Sequence, residues 1–466
     1  MLPSGWPWTG GAHWDAFWCR VRFAPIVALM GCAVVSAVAP PAAVPLGREP
    51  QMRVLVQEGP RLALRADGEQ LFQVRGLPGG TRTLRRLVLS LRGGALLAEL
   101  DGEQQRLPAS SLLQVRSSDP RGIWLAQRRY RGELRLSGRG GQLRAVNALG
   151  IESYLMSVVG SEMPHQWPLA ALQAQAVAAR TYALQQRSRG GGWDLKATVA
   201  SQVYLGVESE TPRTRQAVAS TRSLVLVHGG KLINAVFHSS SGGVTEASGM
   251  VWRNQLPYLV SVPDHDQHSP MHRWQERFDL EGLRQRLPET GGVDAVDVLS
   301  RSASGRVRQA RLRGPRGSLL LSGADLRRRL GLKSTLVNFQ MVPAMAPPEP
   351  VPVLRATPVL RATPVQGASR IAQITASVSR PSPALLGGLG RERRQALPGW
   401  QLLVTGQGHG HGVGMSQWGA NGLARQGADF RTILRHYYRG AEVMPYQPHH
   451  DGSVAQTWPS APAWRG

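Results

Sequence analysis

Hydrophobic and polar residues alternate over several short stretches in the first third of the chain. Four such stretches, bounded by Gly or Asp-Gly turns, cover residues 52–57, 61–65, 87–91 and 132–137. Alternation at every second position is typical of half-buried β-strands. The pattern therefore predicts a β-rich N-terminal part over residues 46–148.

A helical period follows within a region of mixed helix and strand signals, residues 149–342. Its apolar positions recur at intervals of three and four residues: Leu169, Leu172, Ala176, Ala179 and Ala183. Pro168 suits a first helical position, and the glycines from residue 190 would end the helix. We predict an Ala-rich helix over residues 168–187, and this pattern alone is equally typical of a purely structural helix.

The composition changes between residues 343 and 399, which are rich in Pro, Ala and Val. A hexapeptide, Val-Leu-Arg-Ala-Thr-Pro, occurs twice in tandem over residues 353–364. Spaced prolines disfavour helix and central strand, so we expect a PPII-like or disordered insert. Ordered structure should resume over residues 400–446, and the aperiodic residues 447–466 should form a disordered tail.

Glu162 is the first candidate for chemistry, because we expect it in a loop that Pro164 and Pro168 should make rigid. Met163 and Trp167 flank it. Apolar surroundings raise the pKa of a carboxyl group, and such an acid can protonate a leaving oxygen near neutral pH. The alternative is a carboxylate that stabilises the N-terminus of the following helix.

Two further clusters are rich in small and polar residues. Residues 232–237 are predicted to form a strand that ends in His238 and the turn Ser239-Ser-Ser-Gly-Gly243, which suits a hydroxylated ligand or an ordinary turn. Between residues 406 and 414 every second residue is Gly, which in an extended chain would leave one face without side chains. Ser416 should cap a helix over residues 417–426.

A weaker cluster joins two carboxylates to three imidazoles within nine residues: Asp264, His265, Asp266, His268 and His272. These residue types suit zinc or calcium. A solvated loop is the preferred interpretation, so neither a metal nor another cofactor is predicted.

The N-terminal residues 1–45 indicate export. Arg20 and Arg22 precede an apolar run over residues 23–44 that contains the small-x-small sequence Ala37-Val-Ala39. This is typical of a cleaved signal peptide. Lipidation at Cys32, an uncleaved anchor and a buried helix are the alternatives. Cys19 and Cys32 are the only cysteines of the sequence, which excludes a disulfide or a cysteine nucleophile from the remainder.

The chain carries 55 Lys and Arg against 30 Asp and Glu, a formal net charge of +25. A field of this sign attracts polyanions such as nucleic acid, anionic lipid or an acidic wall polymer. Signatures of nucleic-acid-binding modules are absent from the sequence, so we expect no nucleic-acid partner.

Taken in order, several motifs resemble the SpoIID/LytB family of bacterial cell-wall proteins. They are Glu152-Ser-Tyr-Leu155, Val158-Val-Gly-Ser-Glu-Met-Pro164, Trp167 to Tyr182, Ser201-Gln-Val-Tyr-Leu-Gly206, His238-Ser-Ser-Ser-Gly-Gly243 and Gly410-His-Gly-Val-Gly-Met-Ser-Gln-Trp-Gly-Ala420. The resemblance covers roughly residues 52–443. Together with the patterns above it implies an α+β fold, in which a β-rich N-terminal part packs on a mixed α/β catalytic core with one long Ala-rich helix.

The resemblance implies a lytic transglycosylase that cleaves the β-1,4 bond between N-acetylmuramic acid and N-acetylglucosamine in peptide-stripped glycan and leaves a 1,6-anhydro product. Glu162 would act as the single acid and base. Eleven residues would line the glycan cleft: Gln173, Arg180, Tyr182, Gln202, Tyr204, His238, Ser239, Ser240, His411, Ser416 and Gln417.

One departure from the family concerns metal, because some relatives carry Cys and His where this chain has residues 194–201 without either. We therefore expect no zinc there. The alternative function is a non-enzymatic, glycan-binding enhancer of a cell-wall N-acetylmuramoyl-L-alanine amidase. Either protein would work outside the cytoplasm, in the periplasm or at the wall face of the membrane, and would contact the membrane only through its N-terminal segment.

Overall fold

The computed structural model describes residues 49–92, 95–187, 190–344 and 399–451. These residues form strands and helices together, which confirms the predicted α+β class. The strands are β1 (Gln51–Gly59), β2 (Arg61–Arg65), β3 (Phe72–Leu77), β4 (Gly80–Leu84), β5 (Arg86–Arg92), β6 (Ala95–Leu100), β7 (Glu103–Leu107), β8 (Leu112–Ser117), β9 (Ile123–Leu125), β10 (Arg128–Tyr130), β11 (Glu133–Arg139), β12 (Gln142–Gly150), β13 (Leu195–Lys196), β14 (Leu224–His228), β15 (Lys231–Leu232), β16 (Phe237–His238), β17 (Trp274–Phe278), β18 (Ala295–Arg301), β19 (Val307–Gly314), β20 (Gly317–Ser322), β21 (Leu336–Pro343), β22 (Trp400–Gln407), β23 (Met415–Ser416) and β24 (Glu442–Pro445). The helices are α1 (Ile151–Glu162), α2 (Leu169–Gln185), α3 (Pro212–Ser220), α4 (Ser248–Val251), α5 (Leu280–Arg286), α6 (Gly323–Leu330), α7 (Gln417–Arg425) and α8 (Phe430–Tyr437).

The N-terminal part consists of two antiparallel sheets, and the four predicted strands lie within β1, β2, β5 and β11. One sheet has the order β1-β12-β11-β8-β3-β4, extended by the short parallel strand β13, and the other has the order β10-β9-β2-β5-β6-β7. Alternate residues of these strands are buried in one core. The last strand, β12, leads directly into α1, so the sheet positions the start of that helix.

Helix α2 is the centre of the remaining core. It begins after Pro168, which is the N-cap residue, and it ends at Gln185, two residues before the predicted end. It contacts α1, α3, α7, α8 and β14. Because most of its circumference is buried, small Ala side chains allow these neighbours to approach closely, as is typical of an interior helix.

A second, smaller hydrophobic core lies between residues 274 and 407. It is formed by the sheets β17-β22-β21 and β18-β19-β20 together with α5 and α6. Strands β21 and β22 are antiparallel neighbours, with Pro343 opposite Trp400. The insert therefore leaves and rejoins the structure at adjacent points of one sheet. The sequence pattern did not predict this separate core.

Three predictions concern residues that the structure does not describe. The signal segment 1–45, residues 345–398 of the insert and residues 452–466 of the tail lie outside the described residues. The start of the expected tail is ordered, because residues Pro448–Asp451 form a short 3-10 helix and His450 is buried. Within the described parts, every helix falls short of the length or the hydropathy that crossing a bilayer requires.

Candidate functional site

Glu162 is the last residue of α1, and the expectation that it lies in a loop before the next helix is wrong. The helix ends there because Met163 adopts an extended conformation. Gly160 lets the helix press against Ser209, since a Cβ atom at residue 160 would lie 1.9 Å from the Ser209 carbonyl oxygen. The carboxylate thus lies at the negative end of the α1 dipole, which disfavours its ionised form.

Two donors from distant segments hold the Glu162 carboxyl group. The backbone N–H of Val203 donates to Oε1 at 2.8 Å, and the Gln417 side-chain amide donates to Oε2 at 3.2 Å. Burial raises the pKa of Glu162, while these two hydrogen bonds lower it, and the net direction is upward. A carboxyl group in this environment holds its proton at a higher pH than an exposed one.

The Val203 N–H is positioned by its two neighbours in the sequence. The Gln202 side chain is buried and accepts a hydrogen bond from Tyr154 Oη at 2.9 Å. The Tyr204 hydroxyl, also buried, donates to Asn147 Oδ1 at 2.7 Å. These side chains therefore anchor the strand-like segment from inside, and the structure does not place them on an open cleft wall.

Two tryptophans lie near Glu162 and Gln417 in the sequence and contact each other in the structure. Trp167 follows Glu162 by five residues, Trp418 follows Gln417, and their rings meet edge to face with centroids 4.7 Å apart. Tyr182 on α2 is half-buried, and burial raises its pKa to about 12, so its hydroxyl stays protonated. For Glu162 itself, burial is the largest cause of the raised pKa.

The glycine-rich segment is a loop, and the expectation of an extended chain with one bare face is wrong. Four of its glycines have φ angles of 72° to 121°, a conformation that residues with a side chain rarely adopt: Gly408, Gly410, Gly412 and Gly414. A Cβ at residue 414 would also lie 2.2 Å from the carbonyl oxygen of Val236. The glycines thus allow the loop to fold tightly against the chain around β16.

Residues 415 and 416 then pair in parallel with Phe237 and His238. The predicted strand over residues 232–237 is interrupted, since only β15 and β16 at its two ends have strand geometry. Ser416 caps α7 by accepting from the Gly419 N–H at 3.1 Å, which confirms the predicted cap. The cap points α7 so that Gln417, its first residue, reaches Glu162.

His238 is buried and His411 is half-buried, and their ring centroids are 5.4 Å apart. Burial lowers the pKa of His411 to about 4 and that of His238 well below its usual value. His411 Nδ1 accepts from the Val413 N–H, so Nε2 carries the hydrogen and donates to the Phe237 carbonyl oxygen. Both rings therefore hold the loop against β16.

The serine turn is anchored by carboxylates from the cluster that suggested a metal or a solvated loop. Asp266 is fully buried and accepts from the Ser240 hydroxyl and from the N–H groups of Gly242 and Gly243. Asp264 accepts from the Ser241 and Tyr437 hydroxyls. The solvated-loop interpretation is wrong for Asp264 and Asp266, which these hydrogen bonds fix inside the structure, whereas His268 is exposed.

The described residues around these carboxylates do not form a metal site. Among the described residues, no three His, Cys, Asp or Glu side chains are grouped so that they could hold a metal ion. His272 instead lies with its Nδ1 3.0 Å from Asp266 Oδ1.

Arg180 and Gln173, both expected at the cleft, make structural contacts on α2. Arg180 is fully buried and binds Glu152 through two hydrogen bonds of 3.0 and 2.6 Å. Gln173 donates to Ser220 at 2.9 Å and so joins α2 to α3. Burial prevents Arg180 from reaching a glycan, whereas Gln173 is half-buried and its role in the cleft stays a prediction.

The structure thus brings Glu162 and Gln417 into direct contact. Among the other predicted residues, Gln202 and Tyr204 anchor the neighbours of Val203, and Ser416 caps the helix that carries Gln417. Ser239 takes part through its carbonyl oxygen, which accepts from the Trp418 N–H at 3.0 Å. The Val203 N–H, which contacts Glu162 directly, was missed by the sequence analysis. A backbone donor cannot be recognised from the residue type, so the sequence contained no signal for it.

Comparison with known proteins agrees with the arrangement of these motifs. The family model described as SpoIID, Stage II sporulation protein, matches residues 139–228, which include Glu162, Gln202 and Tyr204. An amidase enhancer of Bacillus subtilis is 29% identical over 306 residues, which are 63% of this chain and 40% of that protein. A stage II sporulation protein D of Bacillus amyloliquefaciens is 28% identical over 320 residues, 64% of this chain and 75% of that protein. The chain therefore spans less than half the length of the amidase enhancer.

Proposed function

Because the chain belongs to the SpoIID/LytB family, we propose that it is an exported lytic transglycosylase of peptidoglycan. The substrate would be the β-1,4 bond between N-acetylmuramic acid and N-acetylglucosamine in peptide-stripped glycan. The observation that carries the proposal is the Glu162 carboxyl group. It has a raised pKa and two hydrogen-bond donors, and it is contributed by the segment that the family model matches.

The hydrogen bonds of Glu162 indicate where its proton belongs. Val203 offers an N–H, which can only donate, so Oε1 must remain an acceptor. Gln417 offers an amide, which can either donate or accept, so Oε2 can carry a hydrogen without losing its partner. We therefore assign the acidic proton to Oε2 in the resting enzyme.

The reaction needs one carboxyl group that acts twice. Glu162 donates its proton to the glycosidic oxygen as the bond from C1 of muramic acid to that oxygen breaks. The resulting carboxylate then takes the proton of the C6 hydroxyl while O6 bonds to C1, which closes the 1,6-anhydro ring and regenerates the acid. A hydrolase would usually use a second carboxylate about 5–10 Å away.

Two other glutamates of the described residues, Glu152 and Glu133, are buried beside arginines. Glu152 is paired with Arg180, Glu133 with Arg116 and Arg135. Glu162 makes its hydrogen bonds to neutral donors, so its charge can change at low electrostatic cost to the neighbours. This difference suits a group that must lose and regain a proton during each reaction.

The decisive experiment is mass spectrometry of the soluble products after the full-length protein is mixed with peptide-stripped glycan strands. We expect 1,6-anhydro-muramic ends from the wild type and a loss of about 10²–10⁴-fold in Glu162→Gln. Glu69→Gln, in an exposed turn, is the matched control and should retain full activity. Wild-type protein that binds the strands and releases no product would contradict the enzymatic proposal.

The second candidate is an enhancer of a cell-wall amidase, and the similarity to the amidase enhancer of Bacillus subtilis favours it. Such a protein would bind glycan and increase the release of stem peptides by an added N-acetylmuramoyl-L-alanine amidase. Its effect should survive Glu162→Gln, because recruitment requires no proton transfer at that residue. Stimulation that depends on Glu162 would count against this candidate.

A further inference from the structure

A groove of about 540 Å³ lies on the smaller core, on the three-stranded sheet β17-β22-β21. Its polar lining includes Arg273, Gln275, Arg301, Asn338, Thr405 and Gln407, and we name it the sheet groove. Its volume lies within the range of about 300–1,000 Å³ that is typical of small-molecule sites. The proposed catalytic chemistry does not use any of these side chains.

The strand register explains how the groove acquires a polar floor. Gln275, Thr405 and Asn338 are directly opposite one another on the three neighbouring strands, and all three are exposed. The next positions along the same strands, including Val404 and Val337, are buried on the opposite face. The floor therefore presents two amides and one hydroxyl in a row, which suits the hydroxyl and acetamido groups of a sugar.

Two arginines give the groove its charge. Arg301 is held in place because it donates to the Gly305 and Val337 carbonyl oxygens and to Asn338 Oδ1 at 2.7–2.9 Å. Arg273 is exposed at the start of β17. Within the described residues neither guanidinium has a carboxylate at ion-pair distance, so the groove presents positive charge that an anionic ligand would neutralise.

The groove is attached to the loop that completes the Glu162 site. The Trp274 indole N–H donates to the Gly408 carbonyl oxygen at 2.8 Å, and the Ser334 hydroxyl donates to that of Gln407 at 2.6 Å. Gln407 is thus both a lining residue of the groove and the residue at which β22 passes into the glycine-rich loop. The same loop continues to Ser416 and Gln417.

We propose that the sheet groove binds a carboxylate-bearing amino sugar, and that its ligand is the free lactyl carboxylate of an N-acetylmuramic acid residue on the glycan strand. The arginines bind the carboxylate, and the row of amides and hydroxyl binds the acetamido and hydroxyl groups. The assignment of this sugar rests on the proposed glycan substrate. It would make the groove an outer subsite that favours muramic acid residues without a stem peptide, because the peptide converts that carboxylate into an amide.

The test is the binding of three soluble probes to the full-length protein, measured by ligand-observed NMR titration. N-Acetylmuramic acid and N-acetylglucosamine differ by the lactyl group, and N-acetylmuramyl-L-alanyl-D-isoglutamine has that group amidated. We expect N-acetylmuramic acid to bind about fivefold to tenfold more tightly than either of the other two. Equal binding of the first two probes would overturn the proposal, and so would tighter binding of the dipeptide.

Substitutions then assign the selectivity to the groove. Arg273→Gln should remove most of the preference for N-acetylmuramic acid, while the control Arg277→Gln, at another exposed position of β17, should preserve it. Glu162→Gln should also preserve it, which separates this result from the catalytic proposal. A preference that persists in the Arg273→Gln, Arg301→Gln double variant, with unchanged circular dichroism and thermal unfolding, would place the selectivity elsewhere.

Discussion

Helix α1 carries a buried glutamate near its start and a half-buried one at its end, and the groups that bind the two carboxylates differ in charge. Glu152, near the start of the helix, is bound by the guanidinium of Arg180. Glu162, at the end, accepts only from the neutral donors of Val203 and Gln417. The first carboxylate is stabilised as an anion by a fixed cation, and the second is free to change its protonation state. The same residue type thus serves stability at one end and chemistry at the other.

The largest effect is expected when Glu152 loses its partner Arg180. Arg180→Met should lower the free energy of unfolding by about 3–5 kcal/mol, because the substitution leaves a buried carboxylate without its cation. Chemical denaturation of the full-length protein measures this loss. The double variant Arg180→Met, Glu152→Leu should recover part of it. A single-variant loss below about 1 kcal/mol would show that the ion pair does not stabilise this helix.

The next largest effect is expected when Glu162 loses the amide of Gln417. Gln417→Ala removes a donor that lowers the pKa of Glu162, so that pKa should rise further. The active acid form would then persist to higher pH, and the decline of activity with rising pH should move upward. The rate should also fall about 10- to 150-fold, since a hydrogen bond to a charged group contributes roughly 1.5–3 kcal/mol.

The control for Gln417→Ala is Gln173→Ala, which removes the same amide from a contact with Ser220. It should leave the pH profile unchanged. A downward movement of the profile in Gln417→Ala would mean that the amide accepts from a protonated Glu162 more strongly than it donates to the carboxylate. Measurement of kcat against pH for both variants distinguishes these results.

The periodicity of apolar residues was sufficient to predict strands of the N-terminal sheets and helix α2, because those elements bury residues at regular intervals. It was insufficient for α1, which has β-branched residues and Gly160 in its last two turns. Helix α1 is held by packing against α2 and α3, a contribution that no local pattern contains. For this reason Glu162 was predicted in a loop.

The candidate site, too, could be predicted from the sequence only in part. Glu162 and Gln417 could be selected from their motifs, yet 255 positions separate them and only the fold brings them together. Arg180 was assigned to the cleft because motif residues do not reveal whether a side chain points outward or inward. Its partner Glu152 stood in a quoted motif as well, so an ion pair between the two could have been considered.

A smaller effect is expected when the segment that carries the Val203 N–H loses the hydroxyl group of Tyr204. Tyr204→Phe leaves Asn147 Oδ1 without its donor and loosens the segment that presents the Val203 N–H to Glu162. We expect kcat to fall a few-fold with little change in KM, since the hydrogen bond acts on the carboxyl group and does not contact the glycan. Tyr130→Phe, whose ring lies 5.7 Å from that of Tyr204, is the matched control. An equal loss in both variants would indicate general loosening of the aromatic cluster.

The smallest effect concerns stability, and it has the opposite sign to that of Arg180→Met. The pKa of Glu162 is raised in the folded protein, so between the unfolded and folded pKa values the unfolded chain releases its proton first and stability falls as pH rises. The glutamine of the Glu162→Gln variant cannot ionise, so the variant does not lose stability in this way as pH rises.

The stability difference between Glu162→Gln and wild type should therefore be small at pH 4 and should increasingly favour the variant as pH approaches 7. Thermal unfolding of both proteins across this range measures it. A variant that is progressively less stable than wild type as pH rises would mean that the folded protein stabilises the carboxylate. In that case Glu162 would resemble Glu152, and the distinction between the two ends of α1 would fail.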